Sequence, residues 1–129
     1  MGLEDLRRNG MMAHLLDALG SGKDIGHYGR LVFAMVARHF ADADAVVGHL
    51  MKNPGVTEQE ARALYLQVQG KDYSPPRRER ILAWQQEQEF PICPDPENPD
   101  ACNVYKDLKF PSEVYEHIGG YYEQKAEAS

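Results

Sequence analysis

Glycine and proline cut this chain of 129 residues into short pieces, and the pieces between them carry a helical rather than a strand-like hydrophobic pattern. Breaks fall at Gly20-Ser21-Gly22, Asn53-Pro54-Gly55, Gly70 and Pro75-Pro76, so each interval has room for one helix. Residues 3 to 19 place Leu3, Leu6, Met11, Met12, Leu15, Leu16 and Leu19 at a 3.6-residue recurrence, read as one helix kinked at Gly10. Asp24 is the expected cap of a second helix with Tyr28, Leu31, Val32, Met35, Val36 and Phe40 inward and Arg30, Ala34, Arg38 and Ala41 opposite. Asp42 caps a third, with Val46, Val47, Leu50 and Met51 inward. Thr57 and Glu60 form a capping box for a fourth, which buries Ala61, Leu64, Tyr65 and Val68.

A fifth helix is predicted over Pro75 to Gln88, with Ser74 as its cap, the two prolines in its first turn, and Ile81, Leu82 and Trp84 inward. From Phe90 to Pro111 the chain is too rich in proline for a helix, yet Ile92, Val104, Tyr105, Leu108 and Phe110 predict an ordered loop packed on the bundle. Pro111-Ser112 opens a last helix, 112 to 125, with Val114, Tyr115, Ile118 and Tyr122 toward the core. No stretch alternates with turn signals, so no sheet is predicted. The expected fold is therefore all-α, a compact bundle of about six short helices with a proline-rich ordered loop before the last one. It forms a single helical domain over 1 to 129, divided into a bundle (1 to 89), a loop (90 to 111) and a closing helix.

No apolar run approaches the roughly 20 residues needed to cross a bilayer, and Met1 to Arg8 is polar without a secretory pattern. The chain is expected to be cytoplasmic and to have no membrane partner. In that setting Cys93 and Cys102, nine residues apart, read as buried thiols pinning the loop. Their spacing is not that of paired structural zinc ligands, yet a zinc or iron–sulfur site with His117 as a third ligand stays open as an alternative, as does a disulfide. No phosphate loop, nucleophile elbow or HExxH motif is present, so no cofactor is assigned and the chain is not expected to be an enzyme. His39 and His49 lie beside apolar positions and read as structural.

The net charge of −6 is unevenly spread. Residues 1 to 86 hold eleven Lys and Arg against ten acids, whereas residues 87 to 129 hold three Lys against ten acids. Nonspecific coating of nucleic acid is therefore not expected, but a local basic face on the first two-thirds is. The sharpest such feature is Arg77, Arg78 and Arg80 at a helix start, beside Lys71 and Tyr73. Exposed amides and arginine forks both suit phosphate, and the ring of Tyr73 offers a stacking surface for a base. Arg30 and Arg38 join that face if the second and fifth helices are neighbours.

Gly26-x-Tyr28-Gly29-Arg30 before an apolar helix, the capped acidic helix Thr57 to Gln69, and Asp72-Tyr-Ser-Pro-Pro-Arg-Arg-Glu-Arg-Ile81 together resemble the small helical domain C-terminal to the catalytic core of plasmid and phage primase-polymerases. The resemblance covers about residues 26 to 84. It implies contact with single-stranded DNA template or incoming nucleotide during DNA replication, through Arg30, Tyr73, Arg77, Arg78 and Arg80, and a larger replication protein as partner; Arg38 and Lys71 join the candidate nucleic-acid-binding residues from the charge pattern alone. The chain departs from the family's cysteine or asparagine region before Pro-Pro, and it lacks a primase's catalytic acids. The alternative reading is a protein-docking module using the acidic, tyrosine-rich end with Tyr105, Tyr115, Tyr121 and Tyr122.

Overall fold

The computed structural model describes residues 2–116, and among them the fold is all-α with no strand. A 3-10 helix, Leu3–Arg8, precedes α1 (Gly10–Gly20), α2 (Gly26–Ala37), α3 (Ala43–Leu50), α4 (Glu58–Gly70), α5 (Arg78–Gln85) and the single turn α6 (Val104–Asp107). Residues 112–116 are again helical. The rest of the predicted last helix, with Ile118, Tyr121 and Tyr122, lies outside the described residues.

The first predicted helix is two, and the cause is Asn9 rather than Gly10. Asn9 is extended and fully buried; its side-chain oxygen accepts from the Met12 amide at 3.0 Å, which starts α1 afresh. Its Nδ2 donates to Asp107 Oδ2 at 2.9 Å, tying that helix start to α6 ninety-eight positions away. The Asp42 cap and the Thr57–Glu60 capping box form as predicted, with amide-to-oxygen distances of 2.9 Å for Asp42 and 3.1 Å for Thr57.

Helix α2 is the centre of the molecule, touching α1, α3, α4 and α5. Val32, Phe33, Ala34, Met35, Val36 and Ala37 are all buried, so Ala34 belongs to the core and not to the opposite face expected for it. A helix surrounded by neighbours needs apolar residues all round, which a single-stripe reading cannot anticipate.

The fifth helix is shorter than predicted. Residues 73–77 are without regular structure, Ser74 caps nothing, and α5 begins at Arg78 with extended Arg77 at the cap position. Pro75 and Pro76 are buried, and the Tyr105 hydroxyl donates to the Pro75 carbonyl. The prolines therefore form an extended lead-in on which the later loop packs, consistent with the bias of a residue before proline toward extended backbone.

That loop is ordered and part of the core. Ile92, Val104, Leu108 and Phe110 are buried, as their apolar character predicts. Cys93 and Cys102 are joined by a disulfide with their Cα atoms 5.7 Å apart, which corrects the expectation of free thiols. The expectation rested on compartment, whereas the loop's return path through Cys102, in left-handed backbone at φ 67°, brings the two sulfurs together. Three further contacts hold the loop. The His14 ring bonds the Pro91 carbonyl at 2.9 Å and stacks on Phe90, Gln85 Oε1 accepts from the Cys93 amide at 2.8 Å, and Arg78 Nη2 donates to the Pro96 carbonyl.

Candidate nucleic-acid interface

Helix α5 has three working faces, set by its 3.6-residue period. Ile81 is buried in the core. Arg78 and Gln85, seven residues apart, face the disulfide loop and hold it by the contacts just described. Arg80 and Trp84, four apart, share a third face that extends back to Arg77 and on to Gln88. This face meets the start of α2. The rings of Tyr28 and Trp84 stack with centroids 5.6 Å apart and planes 15° from parallel, which establishes that the second and fifth helices are neighbours.

Gln88 secures that junction. Its Oε1 accepts from the Tyr28 amide at 2.9 Å, and its Nε2 donates to the Ile25 carbonyl at 2.8 Å and to the Phe90 carbonyl at 3.0 Å. An amide of α2's first turn, for which α2's own cap residue Ile25 supplies no side-chain acceptor, is thus met from a distant segment. Asp24 works one step earlier, accepting from the Gly26 amide at 2.9 Å.

The predicted cations do not form one patch. Arg30 pairs with Asp24 at 3.3 Å, and Asp24 is held below its ordinary value chiefly by the Gly26 amide; burial opposes this as the next-largest effect, and Asn53 and Arg30 add smaller lowering contributions. Arg38, eight residues further along α2, donates to Asp72 Oδ1 at 2.7 Å and to the Tyr73 carbonyl at 3.1 Å, with its side chain only 12% exposed. Asp72 is in left-handed backbone at φ 49°, a conformation aspartate tolerates, and there its carboxylate meets Arg38. Arg38 therefore fastens α2 to the turn after α4.

Tyr73 is half-buried against the core, so its ring serves packing. Arg78 is committed to Pro96, with its Nε buried and without a partner. Arg77 is half-buried at the start of α5. Lys71 is exposed at the end of α4. Arg80 is exposed, and its guanidinium carbon lies 5.8 Å from the Trp84 ring centroid. Arg77 and Arg80 thus stand near the start of α5, while Arg30, Arg38 and Arg78 are held in structural contacts.

Trp84, expected on the inner side, is partly buried and packed against the core, where it also meets Tyr28 and Arg80. The spacing of Arg80 and Trp84 at four residues was the available signal for this pairing, because such residues are neighbours on a helix surface.

A groove of about 480 Å³ between the 3-10 helix, α1 and the end of α3 is lined by Arg7, Asp17, His49 and Lys52, but Arg7 is already engaged with Asp17 at 2.8 Å. Among the described residues no group of three or more His, Cys, Asp or Glu side chains converges to hold a metal ion, and no helix is long and apolar enough to cross a membrane.

Comparison with family models, with curated proteins and with solved structures found no match.

Proposed function

We propose that this chain is a non-catalytic helical module that binds single-stranded DNA, or the nucleotide being added to it, during DNA replication or repair, beside a larger replication protein of the primase-polymerase kind. The observation that carries this reading is the start of α5. No side chain of the described residues caps it, and Arg77 stands at its cap position with Arg78 and Arg80 in its first turn, Arg80 exposed. Positive charge added to the positive end of a helix is unfavourable unless an anion is met there, and phosphate suits both the amides and the guanidinium fork.

The module is assigned to the cytoplasm, where such DNA is met. Disulfides are uncommon in that compartment, and burial of Cys93 and Cys102 protects this one from thiol reductants.

Fluorescence anisotropy of labelled single-stranded and duplex DNA at two salt concentrations tests the reading, with an Arg77→Glu/Arg80→Glu variant alongside. Arg78 is left intact because it holds the loop. Preferred, salt-sensitive binding to single strands is expected, and loss of two phosphate contacts should flatten the log–log salt slope by about 1.4. Binding that the variant retains in full would remove this surface from the assignment. Absence of binding at either salt would transfer the weight to the protein-docking alternative, for which Tyr115 is the exposed aromatic among the described residues of the acidic end.

A further inference from the structure

We infer that the disulfide loop 93–102 is an autoinhibitory strap on the start of α5, withholding Arg78 from phosphate until a dithiol opens it, an assignment that rests on the DNA-binding reading. The Pro96 carbonyl, inside the loop, accepts from Arg78 Nη2, and the Arg78 Nε is buried without a partner. That guanidinium is therefore taken up by the chain's own loop rather than offered to a ligand. The ring from Cys93 to Cys102 also carries Asp95, Glu97 and Asp100 and no cation. Asp95 and Glu97 flank Pro96, within a screening length of the contact, so the strap sets negative charge beside the arginine as well as occupying it.

The Cys93–Cys102 bond is what keeps Pro96 in place. Both cysteines are buried, whereas residues 94–100 are exposed. Lys106 also meets this exposed part, pairing with Asp100 at 3.5 Å, but an ion pair on the surface holds little. Ring closure sets Cys102 in left-handed backbone at φ 67°, which a residue other than glycine leaves once the constraint is lifted. Without the bond, Gln85 still holds the Cys93 amide, and the rest of the loop becomes an open link to the buried Val104. One hydrogen bond to Arg78 does not offset the entropy of fixing such a link.

Opening is a two-electron exchange. One thiolate of the dithiol attacks a protein sulfur and breaks the Cys93–Cys102 bond, and its second thiol then displaces that sulfur from the mixed disulfide. The reductant leaves as a cyclic disulfide, and the protein gains two thiols with their protons. A monothiol stalls at the mixed disulfide, where the neighbouring cysteine restores the ring, so burial and reclosure together select a dithiol.

The experiment compares the unreduced protein, the protein reduced with dithiothreitol, Cys93→Ser/Cys102→Ser, and Arg78→Ala in both redox states. Oligothymidylate binding is followed by anisotropy across a salt series, with far-UV circular dichroism as the check of fold. Modification of Arg78 by phenylglyoxal is followed by peptide mass spectrometry in the unreduced protein and in the serine variant, which needs no reductant. Arg78 should be modified severalfold faster in the serine variant. The reduced protein and the serine variant should bind severalfold more tightly than the unreduced protein, with a salt slope steeper by about 0.7 for one added phosphate contact. Arg78→Ala should show one slope in both redox states. Equal modification rates, or equal affinity and slope before and after reduction, overturn the inference and leave the DNA-binding reading standing. A gain on reduction that Arg78→Ala shares overturns the assignment to Arg78. Loss of the helical signal on reduction overturns the strap, because the bond then holds the fold itself. No binding by any form overturns the DNA-binding reading, and the modification rates then decide the strap alone.

Discussion

Gly26 lies against the side chain of Gln88 so closely that a Cβ at position 26 would sit 2.5 Å from Gln88 Oε1, and Gly26 itself has φ +79°. Two independent reasons therefore require glycine there: left-handed backbone, and room for the amide that clamps the start of α2. Gly26→Ala should destabilise the protein by about 2 kcal/mol, combining left-handed strain with displacement of Gln88. Gln88→Ala should cost about as much by removing three hydrogen bonds. The double variant should cost less than the sum, because removing the amide removes the clash. Urea unfolding of the four proteins checks this, and strict additivity would mean that the two residues act separately.

What was legible in the sequence, and what was not, follows from the range of the forces involved. Caps at Asp42 and Thr57 depend on residues three apart and were read correctly. The all-α fold came from apolar recurrence, which also acts over a turn or two. Asn9, Gln88 and Arg38 were not read as structural, because their partners Asp107, Tyr28 and Asp72 lie 34 to 98 positions away. The basic site was misread for the same reason. Residues that read as one basic site are divided by tertiary contacts: Arg30 and Arg38 go to salt bridges, Arg78 to a loop clasp and Tyr73 to packing, while Lys71 and Arg80 stand exposed.

Burial, and secondarily the neighbouring Arg38 charge, pushes the His39 pKa down to about 4, with Asp72 acting weakly the other way. Its Nε2 is buried without a partner, and its ring meets Phe110 edge-on at 5.7 Å. The unfolded chain would take up this proton near pH 6.5, ahead of the folded protein. Between about pH 6.5 and about 4 the unfolded state therefore binds more protons, and stability falls as pH falls through that window. The site is partly open to solvent, so the loss should be about 1–2 kcal/mol, short of the full linkage value. Unfolding midpoints at pH 7 and pH 4.5 should differ more for the native protein than for His39→Gln. Equal pH dependence in the two would place the acid sensitivity elsewhere.

The Cys93–Cys102 bond closes a short loop whose ends are both buried, and its loss frees the unfolded chain more than it loosens the folded one. Cys93→Ser/Cys102→Ser should lower stability by about 2–3 kcal/mol with the helical signal near 222 nm retained, since the disulfide loop itself is largely non-helical. Thiol titration of the native protein without reductant should find no reactive cysteine. Two reactive thiols in the folded, unreduced protein would show that the loop is held by packing alone.

Arg78 and Arg80 stand two residues apart and should behave oppositely. Arg78 donates to the Pro96 carbonyl from a largely occluded position, so Arg78→Ala should loosen the loop and cost about 1–2 kcal/mol of stability. Its effect on DNA affinity at a temperature where it remains folded should be slight. Arg80 is exposed with only the Trp84 ring beneath it, so Arg80→Ala should change stability by about 0.5 kcal/mol or less while weakening single-strand binding severalfold. Chemical denaturation and oligonucleotide anisotropy on both variants separate the two roles. If Arg78→Ala lost DNA binding while keeping full stability, the loop would not be its partner in solution and the basic face would have to include all three arginines.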